Sequence, residues 1–297
     1  MEITKQMAEE SRDTGSIFAG AVAVVTGGAS GIGAALSRAL SLRGAAVAIA
    51  DVASDRVAAV AGSIGKSACA YHCDVTSPEH LNTLAETVTA DFGGIDFVFV
   101  NAGAAVQSSL PDMDPKDFDW LVDLNLRGAF NTIQAFSGLL LERARQGRRP
   151  RFILTGSENS VGLPRIGILT AYTATKHAIL GLADGLRRDL ADFGVGVSVL
   201  CPAAVNTRIW DARSARHHRY GGPEPVAGAV AHEMTKAFAS FAQDPDVTAR
   251  LCLDGIANDE FLIFTHPEVR ELVRVRHAEV EAAFARLDIR LAEYNER

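Results

Sequence analysis

The sequence predicts an α/β protein with one doubly wound parallel sheet, a Rossmann-type arrangement. Three observations carry this reading. From residue 21 onward, short apolar runs alternate with helix-length amphipathic stretches, the pattern of repeated βα units. The first run leads into a glycine-rich turn, Thr26-Gly27-Gly28-Ala29-Ser30-Gly31-Ile32-Gly33. Residues able to do chemistry cluster just after the runs, where open α/β sheets bind ligands.

Composition bounds the rest. The chain has 297 residues, 48% of them hydrophobic, enough for one large core. A net charge of −7 argues against a nucleic-acid surface and suits a cytoplasmic protein. No apolar run reaches the roughly 18 residues of a membrane span. Residues 1–17 are polar and of mixed charge, with no apolar stretch of a signal peptide, and read as a flexible N-terminal arm. Residues 18–297 read as a single domain. The cysteines Cys69, Cys73, Cys201 and Cys252 form no CxxC pair and no metal-ligand spacing, and read as buried thiols.

Taken in order, Ala21–Val25 is a buried strand and the glycine turn opens a helix through Leu42. Strand, glycine turn and helix are the context of a dinucleotide-binding fingerprint. Gly27 permits the tight turn, Gly31 lets the backbone approach a pyrophosphate, and Gly33 allows close helix packing; the helix N-terminus supplies free N–H donors. The second strand, Ala46–Ala50, ends in Asp51, 18 residues after Gly33, near the offset of a ribose-binding carboxylate.

A helix over Ser54–Ile64 leads to a short strand, Ala68–His72, followed by Asp74 and Val75. Ser77-Pro78-Glu79 opens a helix to about Phe92, with serine as cap and proline at the first position. The fourth strand, Ile95–Val100, runs into Asn101-Ala102-Gly103. Asp117 to about Arg145 reads as one long helix containing Asn125, and Arg148–Arg151 as a solvated basic turn. Phe152–Thr155 is the fifth strand, with Ser157 at its end.

Tyr172 and Lys176 then stand four residues apart at the start of a helix expected over Thr173–Phe193. That spacing puts both side chains on one face. An ammonium beside a phenol favours the phenolate, making tyrosine a usable general acid/base. The sixth strand, Gly196–Leu200, leads into Cys201-Pro202-Ala203-Ala204-Val205-Asn206-Thr207. Residues 208–225 read as a mobile lid and 226–297 as a C-terminal extension: helices over Val226–Ala242 and Pro245–Asn258, a strand over Glu260–Phe264 and a helix from Pro267 to about Glu293.

On the motifs Thr26-Gly27-x-x-x-Gly31-x-Gly33, Asp74, Asn101-Ala102-Gly103, Asn125, Ser157 and Tyr172-x-x-x-Lys176, the chain resembles the short-chain dehydrogenase/reductase family. The resemblance is close over residues 18–207 and loose beyond. It implies a hydride-transfer enzyme with NAD as cofactor. Tyr172 would be the general acid/base, Lys176 would lower its pKa and hold the nicotinamide ribose, Ser157 would bond the substrate oxygen, and Asn125 would support a proton-relaying water. Gly27, Ser30, Gly31, Ile32, Gly33 and Asp51 would hold the cofactor's adenosine and phosphates. Asp74 and Val75 would meet the adenine, Asn101, Ala102 and Gly103 the adenosine side, and Pro202, Val205 and Thr207 the nicotinamide end. The family is also homo-oligomeric, so a homodimer or homotetramer is expected, with the 117–145 and 173–193 helices as interface candidates.

Two features depart from the family pattern. Ala203 replaces the usual glycine, so this position must avoid φ > 0. Ser157 and Tyr172 are 15 residues apart, slightly more than usual, which makes Ser160 a rival for the serine role. The pocket is expected from 104–109, 158–168 and the lid. Ala104, Ala105, Val106, Val161, Leu163, Ile166 and Ile168 make it apolar, which points to a hydrophobic or aromatic secondary alcohol and its ketone. The lid carries four arginines against one aspartate in residues 208–220, so an anionic substrate group is open. Two other readings remain: an NADP-dependent ketoreductase of the 3-oxoacyl type, disfavoured by Asp51, and a catalytically silent dinucleotide-binding protein, disfavoured by the intact Ser157, Tyr172, Lys176 and Asn125.

Overall fold

The computed structural model describes residues 17–162, 167–226 and 228–295; of the expected N-terminal arm, residues 1–16 lie outside the described residues. Seven parallel strands form one sheet in the order β3-β2-β1-β4-β5-β6-β7. They are β1 (Val22–Thr26), β2 (Ala46–Asp51), β3 (Ala68–His72), β4 (Phe97–Val100), β5 (Arg151–Thr155), β6 (Gly196–Cys201) and β7 (Leu262–Phe264). The helices are α1 (Gly31–Leu42), α2 (Ser54–Ile64), α3 (Pro78–Phe92), α4 (Pro115–Leu121), α5 (Gly128–Arg145), α6 (Thr170–Asp189), α7 (Gly228–Phe241), α8 (Pro245–Ala257) and α9 (Val269–Asn295).

The unbroken apolar character of the strands follows from burial on both faces. In β1, Val22 and Val24 point into one core with Phe136, Leu140 and Phe152. Ala23 and Val25 point into the other, with Phe18, Leu36 and Leu40. The strand order reverses between β1 and β4, so the crevice beyond their carboxyl ends is where a ligand belongs.

Several boundaries differ from the sequence reading, each for a local reason. The expected 117–145 helix is three pieces: α4 starts earlier, with Asp114 as its cap, a π-helical turn spans Val122–Arg127, and α5 follows. The 173–193 helix starts at Thr170 and gives way after Asp189 to a 3-10 turn over Ala191–Phe193, which ends at Gly194 in the left-handed region, φ 72°. The basic turn is only partly solvated. Arg148 joins Arg143 on the buried carboxylate of Asp96, and Arg151 pairs with Asp259 and donates to Ser198 Oγ at 2.7 Å. Three of the cysteines are buried, but Cys69 is exposed, because β3 is an edge strand.

Candidate active site

Every residue given a catalytic or cofactor-binding role from sequence, except Asn125, lines a single cavity of about 760 Å³ across the carboxyl ends of the strands. The glycine turn is one wall. Gly27 has φ 66°, and a Cβ there would lie 2.8 Å from Ala102 Cα. Gly31 has φ 51°, and its Cβ would lie 2.8 Å from Thr207 Cγ2. Gly33 packs against the turn itself rather than a strand: its Cβ would sit 2.2 Å from the Gly27 carbonyl oxygen. Side chains at these positions would fill the space between loop, Ala102 and Thr207.

Two side chains hold this wall in register. Asp51 Oδ2 accepts from the Ala29 N–H at 3.0 Å and Oδ1 from the Ala53 N–H at 2.9 Å, tying the end of β2 to the glycine turn. Asn101 Nδ2 donates to the carbonyls of Thr26 at 3.0 Å and Gly27 at 3.3 Å, while Oδ1 accepts from Thr155 Oγ1 at 3.0 Å. It thereby links β1, β4 and β5. Asp74 is turned to its own loop, accepting from Thr76 N and Oγ1. Val75 sits under Gly128, whose Cβ would lie 2.7 Å from its Cγ2.

Asn125 stands behind the cavity in the π turn, a distortion common at functional sites. Its side chain is fully engaged: Oδ1 accepts from Ala104 N at 2.8 Å, and Nδ2 donates to Ala104 O at 2.9 Å and Thr175 Oγ1 at 3.0 Å. It fixes the backbone just after Gly103 against α6. A Cβ on Gly103 would come 3.2 Å from Asn125 Oδ1 and 3.6 Å from Lys176 Nζ.

Tyr172 and Lys176 are buried on one face of α6. The lysine Nζ lies 5.6 Å from the tyrosine ring centroid and donates to the Thr155 carbonyl at 2.7 Å. The expected lowering of the tyrosine pKa is absent from this geometry. Burial pushes the phenol up to about 12; contact with the Ser157 hydroxyl opposes this and the nearby Glu158 charge adds to it. Burial likewise pushes Lys176 down to about 8. Desolvation disfavours the charged form of both groups.

The two serines separate clearly. Ser157 lines the cavity beside Tyr172. Ser160 turns inward: its Oγ donates to the Lys176 carbonyl at 2.8 Å and accepts from the Ser157 N–H at 3.1 Å. Together they form a capping box on the 3-10 turn Glu158–Ser160. Ser160 therefore orients the Ser157 turn rather than facing the cavity.

A family model of the short chain dehydrogenases matches residues 21–218. The chain belongs to the short-chain dehydrogenase/reductase family. Among its relatives are galactitol 2-dehydrogenase of Agrobacterium fabrum (strain C58 / ATCC 33970), 26% identical over 82% of this chain and 93% of the relative, and the mitochondrial (-)-isopiperitenol/(-)-carveol dehydrogenase of Mentha piperita, 36% identical over 64% of this chain and 71% of the relative. A short-chain dehydrogenase/reductase from Burkholderia phymatum, solved in complex with NAD, superposes with a TM-score of 0.81 at 28% identity, over 90% of this chain and 96% of that one.

Short-chain dehydrogenases/reductases bind a nicotinamide dinucleotide, and the residues here fit one. The glycine turn leaves backbone-only space at the start of α1, and a carboxylate and an arginine border the far end of the cavity. That arginine, Arg56, is exposed, as its helical position implies, yet it lines the cavity with Asp51 and Val52.

At the substrate end, the structure departs from expectation. Ala104, Ala105 and Val106 line the cavity, but Val161 and Ile168 do not, and Leu163 and Ile166 lie outside the described residues. Trp120, Leu124, Leu169 and Tyr220 take their place. Helical periodicity marks Trp120 and Leu124 as buried but does not say that they border a cavity. The lid is docked rather than loose. Arg213 and Arg216 pair with the buried carboxylate of Asp117, Arg208 pairs with Asp211, and Arg219 with Asp123, which also accepts from the Tyr220 hydroxyl. Each lid arginine thus has a carboxylate partner, and two of them, Arg208 and Arg213, also line the cavity.

Proposed function

We propose that this protein is an NAD(H)-dependent oxidoreductase that interconverts a hydrophobic or aromatic secondary alcohol and its ketone, acting in the cytoplasm as a homodimer or homotetramer. The observation that carries the reading is the convergence of Ser157, Tyr172 and Lys176 on one cavity whose lining also holds Ala104, Val106, Trp120, Leu124 and Leu169. A bound nicotinamide dinucleotide would supply the hydride acceptor or donor. Gly27, Ser30, Gly31, Ile32 and Gly33 would hold its phosphates, with Asp51, Asp74, Val75, Asn101, Ala102 and Gly103 around the adenosine and Pro202, Val205 and Thr207 at the nicotinamide end.

The chain's own residues then do the following. The Ser157 hydroxyl holds the substrate oxygen against the Tyr172 phenol. Tyr172 gives a proton to a ketone oxygen or takes one from an alcohol. With its intrinsic pKa pushed up by burial, the phenol rests protonated, the form suited to ketone reduction. A charged Lys176 on the same helix face assists proton exchange and orients the ribose. Asn125 holds the Ala104 backbone, and the absence of a side chain on the neighbouring Gly103 leaves room for Lys176 Nζ.

Asp51 supports NAD, since its carboxylate would accept from ribose hydroxyls and repel a 2′-phosphate. A second reading, NADP, is favoured by one observation, the cation Arg56 on the same cavity wall. Turnover of a panel of aryl and alicyclic secondary alcohols, with NAD and with NADP, tests the class. Tyr172→Phe should lose at least about 10²-fold in kcat while binding NADH normally. Retention of a tenth of wild-type kcat would overturn the assignment.

A further inference from the structure

We propose that His266 is a positioning residue: its imidazole clamps the Pro202–Ala204 turn and so sets where Val205 and Thr207 meet the dinucleotide. The proposal rests on the reading that this turn borders the nicotinamide end. Ala203 stands where the family has glycine, and it has no positive φ; Asp259 is the one described non-glycine residue with positive φ. The turn therefore cannot use a left-handed glycine to fix its path. It is held instead from outside, by a residue more than 60 positions later.

The geometry is two-sided. The Ala203 N–H donates to His266 Nδ1 at 3.2 Å, and His266 Nε2 lies 3.2 Å from the Ala204 carbonyl oxygen. Thr265 Oγ1 is 2.8 Å from the same Nδ1. The Ala203 N–H requires an acceptor at Nδ1, which places the ring proton on Nε2 facing the Ala204 carbonyl; the Thr265 hydroxyl shares the single Nδ1 lone pair. The ring is buried, so neither partner is replaced by bulk water at no cost.

Gln243 completes the frame. Its N–H donates to the Ala204 carbonyl at 2.9 Å, its carbonyl accepts from Asn206 N–H at 2.8 Å, and its side chain donates to the Thr265 carbonyl at 3.0 Å. On the other side, the Pro202 carbonyl accepts from Glu158 N–H at 2.8 Å, one residue from Ser157. The turn thus couples the cofactor-facing residues 205–207 to the serine turn, and His266 grips it at the middle.

The test compares His266→Phe, which fills the space without polar atoms, with His266→Asn, which keeps an acceptor near the Nδ1 position. Three quantities are read: NADH affinity by fluorescence, thermal midpoint, and amide hydrogen exchange of residues 203–207 in the cofactor-free protein. For His266→Phe, exchange of 203–207 should speed and NADH affinity fall by about tenfold, the scale of one buried hydrogen bond, with kcat at saturating NADH changed less than threefold. His266→Asn should restore both to within threefold. If His266→Phe does not fold, His266→Gln replaces it, since its longer amide reaches the Ala204 carbonyl but leaves Ala203 without an acceptor. Wild-type exchange and affinity in the Phe or Gln variant would overturn the proposal, as would equal losses in every variant that merely track the thermal midpoint. A wild type that binds no dinucleotide would defeat the cofactor reading alone; the exchange comparison would still decide the clamp.

Discussion

Lys176 reaches from α6 to the end of β5, where its Nζ donates to the Thr155 carbonyl at 2.7 Å. That bond fixes the ammonium between the helix and the sheet. It also explains why the lysine does not depress the phenol directly: its charge is directed at a carbonyl 21 residues earlier, not at Tyr172 Oη. Both groups are buried at the cavity wall, and each resists its charged form.

A stability prediction follows from that burial. The folded-state pKa of Lys176 is lowered from 10.5 to about 8, a penalty of roughly 3 kcal/mol when the lysine is charged. Below pH 8 both folded and unfolded chains carry the proton, and the penalty is constant. Between pH 8 and 10.5 only the unfolded chain holds it, so stability rises with pH. Lys176→Met should therefore abolish turnover yet raise the thermal midpoint at pH 7, with a smaller gain at pH 9.5. A midpoint that falls at pH 7 would show that the Thr155 bond outweighs desolvation.

Ser157→Ala and Ser160→Ala should fail differently. Loss of a donor to a developing oxyanion costs about 10²–10³-fold in kcat, with the fold intact. Ser160→Ala removes the bonds to Lys176 O and Ser157 N. It should cost about 1–2 kcal/mol of stability and less kcat than Ser157→Ala. The reverse ranking in kcat would hand the substrate contact to Ser160.

Asp51 and Arg56 should pull cofactor choice in opposite directions. Two like charges at 4 Å repel by roughly 4 kcal/mol at an effective dielectric of 20, before salt screening. If screening and Arg56 leave about 2 kcal/mol, NAD is preferred by about 30-fold. Asp51→Asn should narrow that ratio of kcat/KM values, and Arg56→Ala should widen it. Equal use of both cofactors by all three proteins would remove Asp51 and Arg56 from cofactor reading.

Asp117 should act as the latch of the lid. Burial alone would raise its pKa, but hydrogen bonds from Arg213 and Arg216 hold it below the usual carboxylate range. Its contribution is present above the ordinary carboxylate pKa of about 4 and is lost only as pH falls below that. Asp117→Asn at pH 7 should cost about 2 kcal/mol, since it removes the buried carboxylate of two guanidiniums and leaves them only the exposed Glu224, 3.0 Å from Arg216 and 4.0 Å from Arg213. Faster proteolysis within 208–225 and a raised substrate KM are the expected readouts. Unchanged proteolysis would mean that the lid is held by other contacts.

The sheet and the cofactor wall were legible because their signals are local. Apolar runs such as Ala21–Val25 report burial on two faces, and the glycine turn reports its own backbone geometry. The misses come from contacts between distant segments or from hydrogen-bond patterns that side-chain periodicity does not encode. Nothing in the pattern of Val122–Arg127 separates an i+5 turn from an ordinary helix. The lid arginines look solvated until Asp117, about a hundred residues earlier, is brought beneath them. The Tyr172–Lys176 spacing gives a shared face, but the direction of the ammonium depends on where β5 ends.

Helix α9 has a mechanical consequence. At 1.5 Å per residue its 27 residues form a rod about 40 Å long, and among its residues only Val269, at the root, is buried. That root is seated beside the cavity: Val269 N–H donates to the His266 carbonyl, and Leu272 lies so close to Gly162 that a Cβ there would overlap it. A tilt of about 5° at such a root carries the tip of the rod through about 3.5 Å. Adjustments too small to see around the 202–204 turn would thus be magnified at Tyr294, where a label could read them from outside the protein.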